Sequence, residues 1–198
     1  MKLWIKAVCI SFLLVSVYSM LPFHADCHSI SDDTFRLHIL ANSDSVEDQA
    51  LKLCVRDRVL SYTETLFQNA PDKAAAQSAV RVHLQDIANV AYMEVLANGY
   101  DYSVKAEIVR MFFDTRQYER YTLPSGMYDA LRITIGGAKG HNWWCVMYPS
   151  LCLSSASEQE SRAKQAYNEK EYQIVTNEQI QYKFKCVELF EQLQAFFR

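Results

Sequence analysis

Two cysteines seven positions apart, Cys145 and Cys152, belong to the most unusual stretch of the chain, Asn142-Trp143-Trp144-Cys145-Val146-Met147-Tyr148-Pro149-Ser150-Leu151-Cys152. A thiolate beside an imidazole is a nucleophile with its base, and His141 and His38 are the imidazoles that could serve Cys145. His141 is only four positions away along a turn and a strand, so it need not face the thiol. Spacing also offers no third residue to orient either ring. In an oxidising compartment neighbouring cysteines oxidise, and Pro149 supplies a turn between these two. A Cys145–Cys152 disulfide is the expectation, contributing about 2.5 kcal/mol for so short a loop in the chain-entropy model.

Other groups that could do chemistry have plainer readings. A phosphate cradle needs a helix directly after its glycines. Gly136-Gly137-Ala138-Lys139-Gly140 precedes another apolar alternation, so a hairpin turn is expected there. His24, Cys27 and His28 resemble metal ligands, but a structural zinc site needs four spaced ligands and no second pair is visible. That stretch reads as a flexible leader. Asp44, Glu47 and Asp48 fit the dipole preference of a helix N-terminus, and no cleft for paired-carboxylate chemistry is indicated. The residues therefore predict no catalytic group, no metal and no cofactor. Arg36, His38, Asn42 and Asp44 form a polar set around a strand–helix junction. They suit either a solvent face with capping or a recognition surface on a rigid scaffold.

The ends and composition set the compartment. Lys2 and Lys6 precede the uncharged apolar run Ala7 to Val17, and Val17-Tyr18-Ser19 offers tolerated residues for a signal peptidase. Residues 1–25 are expected to be a signal peptide or N-terminal membrane anchor. The run is short of the roughly 20 residues a span needs, and the remainder is expected outside the cytoplasm. Residues 30–198 fit one domain. The formal net charge is −3, both leader lysines are lost on cleavage, and no basic patch stands out, which argues against nucleic acid. Beyond Cys9 in the leader, five cysteines remain, an odd number. Cys54 and Cys186 fall on apolar helix faces and are expected as buried thiols.

The elements that must position these groups follow from periodicity. Phe35-Arg36-Leu37-His38-Ile39-Leu40 alternates as a half-buried strand does. Asn42-Ser43-Asp44-Ser45 supplies N-caps for a helix with Leu51, Val55, Val59, Tyr62 and Leu66 on one face. Pro71 opens a second helix, faced by Val80, Leu84, Ile87, Ala91 and Val95 and ended by Asn98-Gly99. Their short connection implies antiparallel packing. From Tyr100 to Tyr148 the period becomes two, which predicts an antiparallel meander. Trp143 to Tyr148, apolar on both faces, is expected as a central strand. Ser157 and Glu160 resemble a capping box, and Asn177 is expected to cap a last helix with Ile180, Phe184, Val187 and Phe197 on one side. The fold class is α+β in a single domain: an N-terminal strand and two-helix hairpin, a central antiparallel sheet and C-terminal helices.

Two stretches carry a specific resemblance. Phe35-Arg36-Leu37-His38-Ile39-Leu40-Ala41-Asn42-Ser43-Asp44-Ser45, followed by Glu47-Asp48-Gln49, Lys52 and Arg56-Asp57, resembles the opening motif of the stage II sporulation protein R family. Pro124-Ser125-Gly126, Tyr128, Ala130-Leu131, Ile133, the glycine run and the Trp143–Cys152 segment resemble its second motif. The chain departs in the order of its glycines and in Ser150, where a second proline is usual. The resemblance implies a protein made in the forespore and exported between the two septal membranes. There it would bind the extracytoplasmic part of a mother-cell membrane aspartic protease that processes pro-sigma-E, acting as a ligand and not an enzyme. An aromatic centre with a polar rim is the usual anatomy of such a contact. The expected surface is therefore Trp143, Trp144 and Tyr148 with Arg36, His38, Asn42 and Asp44. The contrasting readings are an exported hydrolase acting on cell wall or peptide through Cys145 or an acidic pair, and a wall-binding module.

Overall fold

The computed structural model describes residues 2–67, 70–118, 120–152, 156–177 and 184–185. In chain order it forms helix α1 (Lys2–Asp32), strand β1 (Phe35–Leu40) and helices α2 (Val46–Phe67), α3 (Lys73–Val82) and α4 (Leu84–Ala97). Strands β2 (Val104–Phe113), β3 (Arg116–Gln117), β4 (Thr122–Leu123), β5 (Gly126–Ile135) and β6 (Asn142–Tyr148) follow, then helices α5 (Ala156–Ala166) and α6 (Glu169–Thr176). The α+β layout agrees with the sequence pattern. The last helix expected after Asn177, with Cys186, Ile180, Val187 and Phe197, lies outside the described residues. Phe184 is described and buried, and Asn177 is the C-cap of α6.

The periodic stripes pack as their spacing requires. Leu51, Val55 and Val59 of α2 and Val80, Ile87, Ala91 and Val95 of α3 and α4 share a core with Phe35, Leu37, Ile39, Leu131, Ile133 and Ile135 from one face of the sheet. The second helix is in fact two. Asp72 caps α3 by accepting from the Ala75 amide at 2.8 Å, and the chain leaves helical geometry at His83 before α4 begins. Gly99, at φ +85°, ends α4 in the left-handed conformation that glycine allows.

The sheet differs from the expected meander. Its order is β2-β5-β1-β6, with β1 parallel to β5 and antiparallel to β6. The N-terminal strand thus lies between two strands that are consecutive in sequence, making the sheet mixed and not purely antiparallel. The glycine run is correspondingly no hairpin turn. It must cross two strand spacings, roughly 10 Å, over the end of β1. β1 is buried on both faces and not on one, and the apolar β6 is an edge strand and not a central one. The reason in both cases is cover from a second layer, which periodicity along one strand does not reveal.

That second layer comes from the chain ends. Cys27, Ile30, Tyr121, Leu123, Val146, Ala163, Tyr167, Ile174, Val175 and Phe184 form a core on the opposite face. Helix α1 runs unbroken past the expected cleavage region, with Pro22 inside it. Leu3, Trp4, Phe12 and Leu21 are exposed, whereas Cys27 and Ile30 are buried. The stretch around His24, Cys27 and His28 is therefore packed helix and not flexible leader. Asp26 pairs with Lys170 at 2.7 Å and the Thr34 and Tyr167 hydroxyls share a 2.7 Å hydrogen bond. Packing thus begins before residue 30. Among the described residues no helix is long and apolar enough to cross a membrane. Cys54 is half-buried, not buried. Ser157 lies inside α5, and the capping box forms instead at Asn168 and Glu171, opening α6.

Candidate functional site

The two motif segments meet at one end of the sheet, where the chain leaves β1 and the glycine loop passes over it. Asn42 occupies the junction. Its side-chain oxygen accepts from the Gly137 amide at 2.8 Å and its backbone oxygen from the Lys139 amide at 3.1 Å. The Gly140 amide donates to Ala41 at 3.0 Å. A Cβ at Gly140 would overlap the Ser43 carbonyl, and one at Gly136, already at φ +55°, would overlap the Asn42 side chain. Glycine is required there by close approach, not by a phosphate.

Below the loop, Asp48 receives hydrogen bonds from Asn42 Nδ2 at 2.8 Å and Ser43 Oγ at 2.5 Å. Burial opposes ionisation of Asp48, but the hydrogen bonds from Ser43, Asn42 and Tyr102 outweigh it and hold the carboxyl below its usual range. Lys52 is buried, and burial pulls its ammonium below the ordinary lysine range. It donates to Gln49 Oε1 at 2.6 Å and to the His141 carbonyl at 2.9 Å. Asp44 accepts from the His141 amide at 2.6 Å and the His141 ring Nδ1 at 2.5 Å. Both side chains are largely exposed. Asn42 is thus a latch, and Asp44 with His141 forms the outer rim.

Arg36 and His38, expected beside Asp44, instead point to the other face and are buried. Arg36 is fully enclosed, its guanidinium 4.1 Å from the Phe113 ring, 4.9 Å from Tyr128 and 5.9 Å from Tyr118. It donates through Nη2 to the Tyr118 hydroxyl, while Nε and Nη1 have no hydrogen-bond partner among the described residues. Aromatic faces stabilise the charge in place of a carboxylate. His38 stacks on Trp144 at 3.8 Å and bonds through Nε2 to Asn142 Oδ1 at 2.9 Å. Burial holds its imidazole below the ordinary value of 6.5, the Asn142 bond offsetting this in part.

The β6 candidates divide between the two faces. Trp143 joins the helical core, with the Arg56 guanidinium 4.5 Å over its ring. Trp144 lies on the opposite face, half-buried, edge-on to Phe113 at 4.8 Å and beneath Arg116 at 5.8 Å. Tyr148 is buried and donates to the Pro71 carbonyl at 3.0 Å. Sequence reasoning missed Phe113, Tyr118 and Tyr128 as Arg36's enclosure. The one available signal was the aromatic density of residues 112–128, which does not name a partner.

Cys145 and Cys152 form the expected disulfide, Cα atoms 6.2 Å apart, so Cys145 presents no thiolate. The His141 ring faces Asp44 and not the sulfur. Among the described residues no group of three or more His, Cys, Asp or Glu could hold a metal ion.

The residues that latch the loop, fill the aromatic enclosure and staple β6 all lie within or beside the two motif segments. A family model described as stage II sporulation protein R matches residues 31–159, from the end of α1 into α5. The chain belongs to that family. It is also similar to the stage II sporulation protein R of Bacillus subtilis (strain 168), with 35% identity over 136 residues. That alignment covers 69% of this chain and 61% of the relative, so the chain spans under two thirds of the relative's length. No solved structure matches. Family membership ties the chain to sporulation, under a name that is not an enzyme's.

Proposed function

We propose that this protein is an exported signalling ligand of endospore formation. It binds the extracytoplasmic part of the mother-cell membrane aspartic protease that processes pro-sigma-E and biases that protease toward its active state. The observation that carries the reading is the family match across the domain. Its geometry suits binding better than turnover, because Cys145 is held in a disulfide and the Asp44–His141 pair stands exposed with no nucleophile bonded to it among the described residues. A ligand activates only through differential affinity for two states, which asks for a rigid surface. The latched loop and stapled strand supply one. Arg36, His38 and Tyr148 support that surface from within. Trp144, Asn42, Asp44 and His141 form its accessible part, with Trp143 holding β6 on the helices.

Co-expression of the chain, the protease and its precursor substrate in a non-sporulating host tests the reading. Processing that depends on the chain is expected, and processing of equal extent without it would overturn the proposal.

A further inference from the structure

From the open end of β6 we infer that the partner docks by strand addition, an extended segment of the protease's extracytoplasmic part pairing with the backbone of Asn142 and Trp144; this rests on the signalling reading above. In an antiparallel edge strand, alternate residues turn both backbone groups away from the sheet. Val146 fixes the phase here. Its amide meets Cys152 Sγ at 3.0 Å and its carbonyl takes the Leu151 amide at 3.5 Å. Both therefore point outward, away from the paired residue Arg36. Two and four residues earlier, Trp144 and Asn142 have the same outward phase. Their outward amides and carbonyls have no backbone partner among the described residues.

The disulfide arm thus closes one half of the edge and, among the described residues, leaves the other open. Edge strands are ordinarily guarded by proline, lysine or inward charge. Asn142-Trp143-Trp144-Cys145-Val146-Met147-Tyr148 has none of these. Only another extended backbone matches outward donors and acceptors at strand spacing, and strand addition takes its specificity from alternate side chains on the two faces. Each face here presents a tryptophan under an arginine, Trp143 with Arg56 and Trp144 with Arg116. Arg116 makes no ion pair among the described residues, whereas Arg56 is held by Asp57 at 2.6 Å. Charge complementarity therefore places an acidic side chain of the partner segment on the Trp144 face.

Asn142 offers a clean test because it opens an edge strand with its amide outward, a position where proline is tolerated. Asn142→Pro removes that donor. Asn142→Ala keeps it and removes only the side-chain bond to His38. Both variants and the wild type are compared in the reconstituted precursor-processing host, with urea unfolding of the purified chains to check the fold. Processing at least tenfold lower for Asn142→Pro than for Asn142→Ala, at matched stability, is expected. Equal processing by the two variants overturns the edge while leaving the signalling reading intact. Absence of processing with the wild type overturns the signalling reading and the docking mode with it. A wild-type dimer in size-exclusion chromatography that Asn142→Pro abolishes, with processing unchanged, assigns the edge to a second copy and overturns partner docking. If Asn142→Pro unfolds, Arg116→Glu decides: a loss of processing of at least fivefold is expected, and undiminished processing overturns the acidic-partner assignment.

Discussion

The two faces of the sheet are held by different physics. The face under α2, α3 and α4 is mainly apolar, built from side chains that recur at helical or strand spacing, with Asp48, Lys52 and Thr63 as the buried polar groups of α2. The other face carries Arg36 and His38 in its interior, covered by Phe113, Tyr118, Tyr128 and Trp144 and by helices from both chain ends. The first gains from area removed from water, which is nearly indifferent to angle. The second depends on ring planes and a guanidinium at defined positions. The helical face therefore secures stability, and the aromatic face fixes the orientation of β6 and the junction beside it.

The largest effect is expected at the helical core. Leu37→Ala should cost about 2–5 kcal/mol, since it leaves a cavity among fully buried neighbours. A urea midpoint close to the wild-type value would mean that this face is not the main source of stability. Replacing both Cys145 and Cys152 with serine should cost about 2.5 kcal/mol. It should also free the arm that covers Val146, lengthening the open edge, so soluble yield should fall more than stability alone explains. Equal unfolding curves for this variant, oxidised wild type and reduced wild type would remove the staple from the account.

On the aromatic face the sign of the substitution matters. Arg36→Lys keeps a buried charge and loses the planar stacking, and should cost about 1–3 kcal/mol. Arg36→Met removes the charge and fills much of the same space, and should be milder. If methionine proves the worse replacement, the guanidinium has a carboxylate or solvent partner and the aromatic enclosure is not its main support.

His38 supplies a pH test of the same face. Its folded value lies below the unfolded value of 6.5 because the ring is buried. Its contribution is fully present above 6.5 and is lost as pH falls through the folded value, where the unfolded chain already holds the proton. His38→Phe keeps a ring on Trp144 and abolishes that titration, so its urea midpoint should fall less than the wild type's on acidification below 6.5. Parallel curves would show that His38 protonates as readily in the fold as outside it. The smallest effect is expected at the rim: Asp44→Asn should leave the unfolding midpoint nearly unchanged while loosening His141, visible as faster exchange of its amide. An unchanged exchange rate would show that Asp44 does not hold His141 at the rim.

The stripes of α2 and α4, the cap at Asn98-Gly99 and the disulfide were legible because each depends on residues within a few turns of one another. The break at His83 was not, since an apolar stripe continues across it. Arg36 and His38 were read as a polar margin because alternation in a strand ordinarily separates core from solvent. Nothing local announces that Cys27, Ile30 and Tyr167 will cover the second face. The glycine run shows the same limit. Its composition identified a turn, but whether that turn joins neighbours or crosses a third strand depends on where β1 inserts.

By itself the sequence determined the α+β class, the helical core, the stapled Trp-Trp strand and the resemblance that the family match bears out. Those properties rest on spacing along the chain and on side-chain types. Tertiary structure alone decided that β1 lies between β5 and β6, that Arg36 and His38 are interior, and that β6 is an edge. Each of these depends on contacts between residues distant in sequence, and hydrophobic periodicity records only which side of an element is covered, not what covers it.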